Sequence, residues 1–258
     1  MMPLVIAHLS DLHLGAHLPD AVESVAADVA AVRPTLTVVT GDLTMRARRL
    51  QFRSARELLD RLPEPLLVVL GNHDVPLVSA ARVLAPYARY RRWIGNELDP
   101  VVRLPKVTAL GLETMPWWRW KSGRVRRRQS EAVLAELGQE PAGVVRLVAV
   151  HHPLDATGLE RVVGRAGLLR SLAAARVDLL LAGHTHVPDS HPLALPTTSH
   201  RVIQVVAGTA TSHRIRGVGR SWNVIRVDDA AVVVEERCQV EAGWQTTRTT
   251  RHPRFGSN

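Results

Sequence analysis

The sequence predicts an α/β protein in which strand and helix alternate along the first part of the chain and strands alone fill the last. Three observations carry this reading. Five β-branched or Leu-rich runs recur between residues 4 and 186, each of strand length and each ending in a polar cluster. Helix-like stretches lie between them. After Gly183 the long helical stretches stop, and apolar runs follow one another directly.

In chain order, "LVIAHLSD" at 4–11 opens the fold and "LTVVTGD" at 36–42 follows, with a helix from Asp20 to Val32 between them. A second helix, Leu50 to Arg61, leads into "LLVVLGNHD" at 66–74. Residues Pro76 to Gly123, rich in Arg, Trp and Tyr, read as a cap-like excursion over one end of the sheet. Helix Gln129 to Leu137 precedes "VVRLVAVHH" at 144–152, and helix Arg165 to Arg176 precedes "DLLLAGHTH" at 178–186. These runs are too short for lone helices, and their continuous apolarity suits strands buried on both faces. Strand alternating with helix indicates a layered sheet. "RVIQVVAGTATS", "SWNVIRVDD", "AAVVVEERCQVE" and "GWQTTRTT" then predict a second, more antiparallel sheet packed on the first. Residues 1–250 read as a single domain, and the tail 251–258, "RHPRFGSN", has no periodicity and is expected to fray.

Composition narrows the function classes. With 258 residues and 46% hydrophobic content, the chain can bury a sizeable core and is not of the disordered class. No apolar run approaches the ~18–20 residues that span a bilayer, and no membrane partner is expected. The opening "MMPLVIAHLSD" lacks the regions of a signal peptide, and Cys238 is the one cysteine, so a reducing cytoplasm is the expected location. The net charge of +9 raises the question of nucleic acid. Lysine occurs only at Lys106 and Lys121, however, and the arginines are scattered through helix-like stretches. Nucleic acid is therefore not the favoured partner.

In open α/β sheets, ligands bind outside the carboxyl ends of the strands. The polar clusters occupy those ends: Asp11 and His13; Asp42; Asn72, His73 and Asp74; His151 and His152; His184 and His186. Carboxylate, carboxamide and imidazole together suit transition metals of intermediate hardness. Glycines precede three of the clusters (Gly41, Gly71, Gly183), which permits a sharp turn. One such cluster alone is commonly a surface turn. Five at successive strand ends are hard to assign to five separate structural reasons.

The ordered series "DLH", "GD", "GNHD", "HH" and "GHTH" resembles that of the calcineurin-like metallophosphoesterases, over residues 5 to about 190. The resemblance implies a four-layer α/β/β/α sandwich, two mixed sheets flanked by helices, with a dinuclear metal centre. It assigns one ion to Asp11, His13, Asp42 and His186, and the other to Asp42, Asn72, His151 and His184, so that Asp42 bridges. The two ions, with Mn and Fe expected first and Zn, Co or Ni as alternatives, would activate a water for in-line attack on phosphorus. His73 is then the residue that contacts phosphate or protonates the leaving oxygen. Asp74 either orients His73 or caps a turn.

Where purple acid phosphatases carry a tyrosine ligand, this chain has Met45, so a coloured Fe(III) centre is not expected. Arg46 falls where Ser/Thr protein phosphatases keep a phosphate-binding arginine, and can equally be a solvated residue of "RARRLQFR". "GDLTMRARRLQFR", "GNHDVP" and "YARYRRW" look most like bacterial relatives of class III cyclic-nucleotide phosphodiesterases. The expected activity is hydrolysis of small phosphodiesters. A nuclease or phosphomonoesterase is the alternative, and a non-catalytic metal-binding scaffold a distant one. The expected partner is a small phosphoester, acted on by a monomer or homodimer. Trp117, Trp118 and Trp120 can stack a base or pin a loop, and His213 and Arg214 lie on a loop that can reach the substrate.

Overall fold

Side chains on a strand alternate between its faces, and that period divides the interior into three apolar layers. In β1 (Leu4–Leu9), Leu4 and Ile6 join one layer while Ala7 and Leu9 join another. The computed structural model describes residues 3–196, 198, 200–241 and 243–254. Within them the strands form two six-stranded sheets.

The first sheet runs β12 (Gly243–Pro253), β11 (Ala231–Val240), β10 (Ser221–Val227), β1, β2 (Leu36–Val39) and β3 (Leu66–Val68). The second runs β4 (Val101–Leu104), β5 (Val107–Gly111), β6 (Val145–Ala149), β7 (Leu179–His186), β9 (Val202–Gly208) and β8 (Asp189–Leu193). Helices α1 (Pro19–Val32) and α2 (Arg49–Leu59) cover the outer face of the first sheet, where Val25, Val29, Phe52 and Leu58 pack with Leu9 and Trp222. Helices α5 (Arg127–Leu137) and α6 (Arg165–Ala174) cover the second through Val133, Leu137, Leu168 and Leu172. Between the sheets lie Ile6, Val38, Leu147, Leu181, Val205 and Ile225. Each such buried side chain contributes about 1.5–3 kcal/mol. The architecture is the four-layer α/β/β/α sandwich.

Three expectations change. The C-terminal strands do not make a sheet of their own. β10 pairs antiparallel with the free edge of β1, whereas β9 pairs parallel with β7. The early strands are thus split between two mixed sheets, and the late ones complete both. The excursion at 76–123 is not all cap: "VTALG" is buried beside β6, with Ala109 opposite Leu147, and β4 follows it as an antiparallel edge. Nor does the chain fray at 251. β12 continues to Pro253, and Arg254 Nε lies 3.0 Å from Asp178 Oδ1; positions 255–258 lie outside the described residues. Among the described residues no helix is long and apolar enough to cross a membrane.

Just past β5, Glu113 is fully buried, with Oε2 2.8 Å from Arg126 Nη2 and Oε1 without a hydrogen-bond partner. Burial outweighs the arginine and pushes the carboxyl up to about 7. A raised carboxyl favours folding while protonated, and that contribution is lost as pH rises through the folded value. Thermal melts of wild type and Glu113→Gln should therefore converge at about pH 5 and diverge by about pH 8, the wild type losing more stability. Melting curves that stay parallel across this window would contradict the assignment.

Candidate metal centre

The polar clusters converge because the carboxyl ends of β1, β2 and β3 face those of β6 and β7. Main-chain bonds fix the approach. Asp11 N–H donates to the Gly41 carbonyl (3.0 Å), His13 N–H to the Asp42 carbonyl (2.8 Å) and Gly183 N–H to the His151 carbonyl (3.0 Å). One bond ties the two sheets together at the site: His184 N–H donates to Asp11 Oδ2 at 2.9 Å.

The turns that aim these side chains are made by the candidate ligands themselves. Asp11, His13, Asp42, His184 and His186 all have left-handed φ, between 47° and 72°. For residues with a Cβ this costs about 1–2 kcal/mol each, and such strain persists where the surrounding structure enforces it at functional sites. Gly183 and Gly71 serve a different need from the turn expected of them. A Cβ on Gly183 would stand 1.8 Å from Ser10 Oγ, and one on Gly71 2.2 Å from Asp42 N. They let two loops touch. Gly41, with φ +92°, is the turn-forming one of the three.

Asp11, His13 and His186 bring ligand atoms within 4.8 Å of one another, and so do Asp11, Asp42 and His151. Whether these groups suit a cation is decided by which ring nitrogens carry hydrogen. His151 Nδ1 lies 2.7 Å from the Thr40 carbonyl, which can only accept, so Nδ1 holds the hydrogen. Its Nε2 then presents a lone pair toward Asn72 Oδ1 (3.1 Å) and Asp42 Oδ1 (3.5 Å), both acceptors. His184 Nδ1 faces the same Asn72 oxygen at 3.1 Å. Likewise His186 Nδ1 donates to the Arg214 carbonyl (2.6 Å), leaving Nε2 aimed at Asp11 Oδ1 (3.1 Å) and His13 Nε2 (3.0 Å). Two sets of buried lone pairs thus point at common centres, with the Asp42 oxygens 3.5 Å from His151 Nε2 and 3.8 Å from His13 Nε2. The donor set fits two divalent cations.

Electrostatics divide the rings. Asp42 outweighs burial and raises His151 to about 9, and Asp11 likewise raises His186, so that a cation at these Nε2 atoms would displace a proton. Burial alone would raise Asp42, but His151, His73 and His13 outweigh it and hold the carboxyl well below its usual range. Burial keeps His13 and His184 neutral, each lowered to about 4, His151 adding to the effect at His184.

Two neighbouring histidines fail the lone-pair test. His152 is satisfied at both nitrogens, by Thr114 Oγ1 (2.8 Å) and the Lys121 carbonyl (2.8 Å), and anchors the loop before α5. His73 Nδ1 donates to the Met45 carbonyl (2.8 Å), and its Nε2 lies 3.3 Å from Arg214 Nη1. His73 therefore meets the pocket beside the cation centres, and its orienting partner is a main-chain carbonyl. Asp74 does not orient it. The Asp74 carboxylate accepts from the N–H groups of Leu43, Thr44 and Gly71 at 2.8–3.1 Å and pins two loops together. The cap is the role the structure supports for Asp74.

The cavity over these groups measures about 260 Å³. Its lining includes the apolar Val75, Leu77 and Trp120 and the cations Arg46, Arg214 and Arg216. Lys121 Nζ and Glu160 Oε1 pair at its rim, 2.6 Å apart. Arg46 lines the cavity but is exposed, its main chain held by Gln51 Oε1. Arg214 is the stronger cation. It is partly buried, and among the described residues it forms no ion pair. Its reach to His73 was not legible beyond a bare loop position, because the loop after β9 is placed by Thr209 and Thr211 hydroxyls donating to the carbonyls of Asp11 and Leu12. His17 Nδ1 accepts from Gly15 N–H at 2.9 Å.

The chain is similar to known proteins in sequence and in fold. A probable glycerophosphodiester phosphodiesterase, GpdQ, of Arcobacter nitrofigilis is 26% identical over 193 residues, spanning 71% of this chain and 65% of that relative's length. In fold, the chain is similar to purple acid phosphatase PPD1 of yellow lupin, with a TM-score of 0.75 at 12% identity over 98% of this chain and 54% of that one. It is also similar to a dimetal phosphatase of Danio rerio, with a TM-score of 0.68 at 12% identity over 98% and 100% of the two chains. The family model described as calcineurin-like phosphoesterase matches residues 4–188, a stretch that starts with β1 and closes just past His186. That match covers more than half of the chain, and the chain belongs to the calcineurin-like phosphoesterases.

Proposed function

We propose that this protein is a dinuclear metal-dependent phosphodiesterase acting on small diesters. The carrying observation is the pair of buried lone-pair clusters that share Asp42. On this reading Asp11, His13, Asp42 and His186 hold one ion, and Asp42, Asn72, His151 and His184 the other. When bound, such ions supply Lewis acidity toward a phosphoryl group and lower the pKa of a water. Mn or Fe suits this mixed oxygen and nitrogen set, and Zn, Co or Ni can replace them.

The chain's own residues supply the rest. The Thr40 and Arg214 carbonyls fix which nitrogen of His151 and His186 faces inward. Arg214, which has no carboxylate partner among the described residues, grips a non-bridging phosphoryl oxygen, and the exposed Arg46 assists from the cavity lining. His73 Nε2 meets the phosphoryl group or the leaving oxygen. Val75, Leu77 and Trp120 in the cavity lining receive an organic substituent of the phosphoester. The name of the Arcobacter relative supports the diester reading.

Purified protein supplied with Mn should hydrolyse bis-p-nitrophenyl phosphate faster than p-nitrophenyl phosphate, and chelation should abolish both activities. Faster monoester turnover across Mn, Fe, Zn, Co and Ni would favour the phosphomonoesterase reading. Oligonucleotide cleavage with steeply salt-dependent binding would favour the nuclease.

A further inference from the structure

The structure assigns a lipid-docking surface to the mouth of the cavity. Two segments frame that mouth. Val75–Asn96 and Thr114–Ser130 contain no acidic residue, while the first carries four arginines and the second five arginines and Lys121. Arg91, Arg92 and Arg124 are exposed and form no ion pair among the described residues. Neither segment carries a carboxylate of its own; Lys121, Arg126 and Arg127 pair with Glu160, Glu113 and Glu131 from neighbouring segments.

The same segments expose apolar side chains that nothing in the fold covers. Val78 is 83% exposed and Leu84 82%, beside Leu77, Val83, Trp118 and Trp120. Arg82 makes these one surface. Its Nη1 donates to the Pro76 carbonyl (2.5 Å), its Nη2 to the Arg119 carbonyl, and its guanidinium lies 4.2 Å over the Trp120 ring. The turn of helix α3 (Ala80–Leu84) is thereby fastened to the Trp loop, and Leu77 and Trp120 continue the surface into the cavity.

The chemistry selects one occupant, an anionic phospholipid surface. Aliphatic tips and tryptophans partition into the boundary between headgroups and acyl chains, while arginines pair with headgroup phosphates. A nucleic acid would engage the arginines and tryptophans but leaves Val78 and Leu84 in water. The absence of a spanning helix bears only on crossing a bilayer, and docking from one side needs none. Docked this way, the cavity opens toward headgroup phosphoesters. That last consequence rests on the phosphoesterase reading; the docking does not.

The test is co-sedimentation of the full chain with vesicles of phosphatidylglycerol mixed with phosphatidylcholine, against phosphatidylcholine alone. Wild type should bind the anionic vesicles and release them in high salt. Val78→Glu combined with Leu84→Glu should weaken binding by at least ~10-fold, and Arg91→Glu combined with Arg92→Glu should weaken it through the charge alone. Both variants should keep wild-type hydrolysis of a soluble diester, which scores the phosphoesterase reading separately. Failure to bind anionic vesicles overturns the proposal. So does vesicle binding unchanged in the Val78/Leu84 variant, or gel filtration showing a dimer that this variant dissociates. Tight oligonucleotide binding without vesicle binding would reassign the surface to nucleic acid.

Discussion

Asp42→Asn is expected to lower kcat/KM for a phosphodiester by at least ~10³-fold, because metal-ion catalysis contributes several kcal/mol and each 1.36 kcal/mol is tenfold in rate. Asp42 is placed between the two lone-pair clusters, with its oxygens 3.5 Å and 3.8 Å from His151 and His13 Nε2. An amide there is neutral and a poor bridge between two cations. Metal analysis should accordingly find about two ions per chain in the wild type and one or fewer in the variant. The fold should survive the change. Asn tolerates the left-handed φ of +53° at this position. Its Oδ1 can still accept the His73 N–H that now lies 2.8 Å from Asp42 Oδ1. Circular dichroism should show an unchanged spectrum. Turnover within tenfold of wild type, with metal content intact, would remove Asp42 from the centre and with it the dinuclear mechanism.

His73→Ala is the second large effect, and its size should depend on the leaving group. A positioned proton donor contributes about 10²–10⁴-fold, and it matters most when the departing alkoxide is a strong base. The loss should therefore be large for an alkyl ester, such as a glycerophosphodiester, and small for a p-nitrophenyl ester, whose phenolate leaves without a proton. Metal content should not change, since His73 Nδ1 is held by the Met45 carbonyl and its Nε2, open to a proton once Arg214 turns to the phosphoryl group, faces the cavity. An equal loss on both substrates would make His73 a phosphate-binding residue instead. Loss of a metal ion on substitution would make it a ligand, contrary to the lone-pair assignment.

These two residues also mark how far a sequence can be read. The donor types were legible because each sits at the end of its own strand or just past it, and strand ends show in the local apolar pattern. The helices α1, α2, α5 and α6 were legible for the same reason, within a residue or two at most ends. β4 and β5 were not. They lie in an Arg- and Trp-rich stretch, and "VTALG" reads as strand only once β6 is seen beside it. β8 was missed too, since "DSHPL" is half polar and earns its strand geometry from pairing with β9. Asp74 shows the limit within a motif: adjacency to His73 suggested an orienting role, but the backbone turns its carboxylate toward Leu43 and Thr44.

The sequence by itself determined the α/β class, the donor atoms available for a metal centre and the end of each strand on which they sit. These depend on periodicity and residue type, which act over a few positions. Tertiary structure alone decided how the strands divide between two sheets, which nitrogen of each histidine faces inward, and that Arg214 stands against His73 across 141 positions of chain. It also decided that Val78, Leu84 and Trp120 are left exposed while Arg82 ties their two segments together. Each of these follows from pairing and packing between segments far apart in sequence, where the free energy belongs to the contact and to neither segment alone.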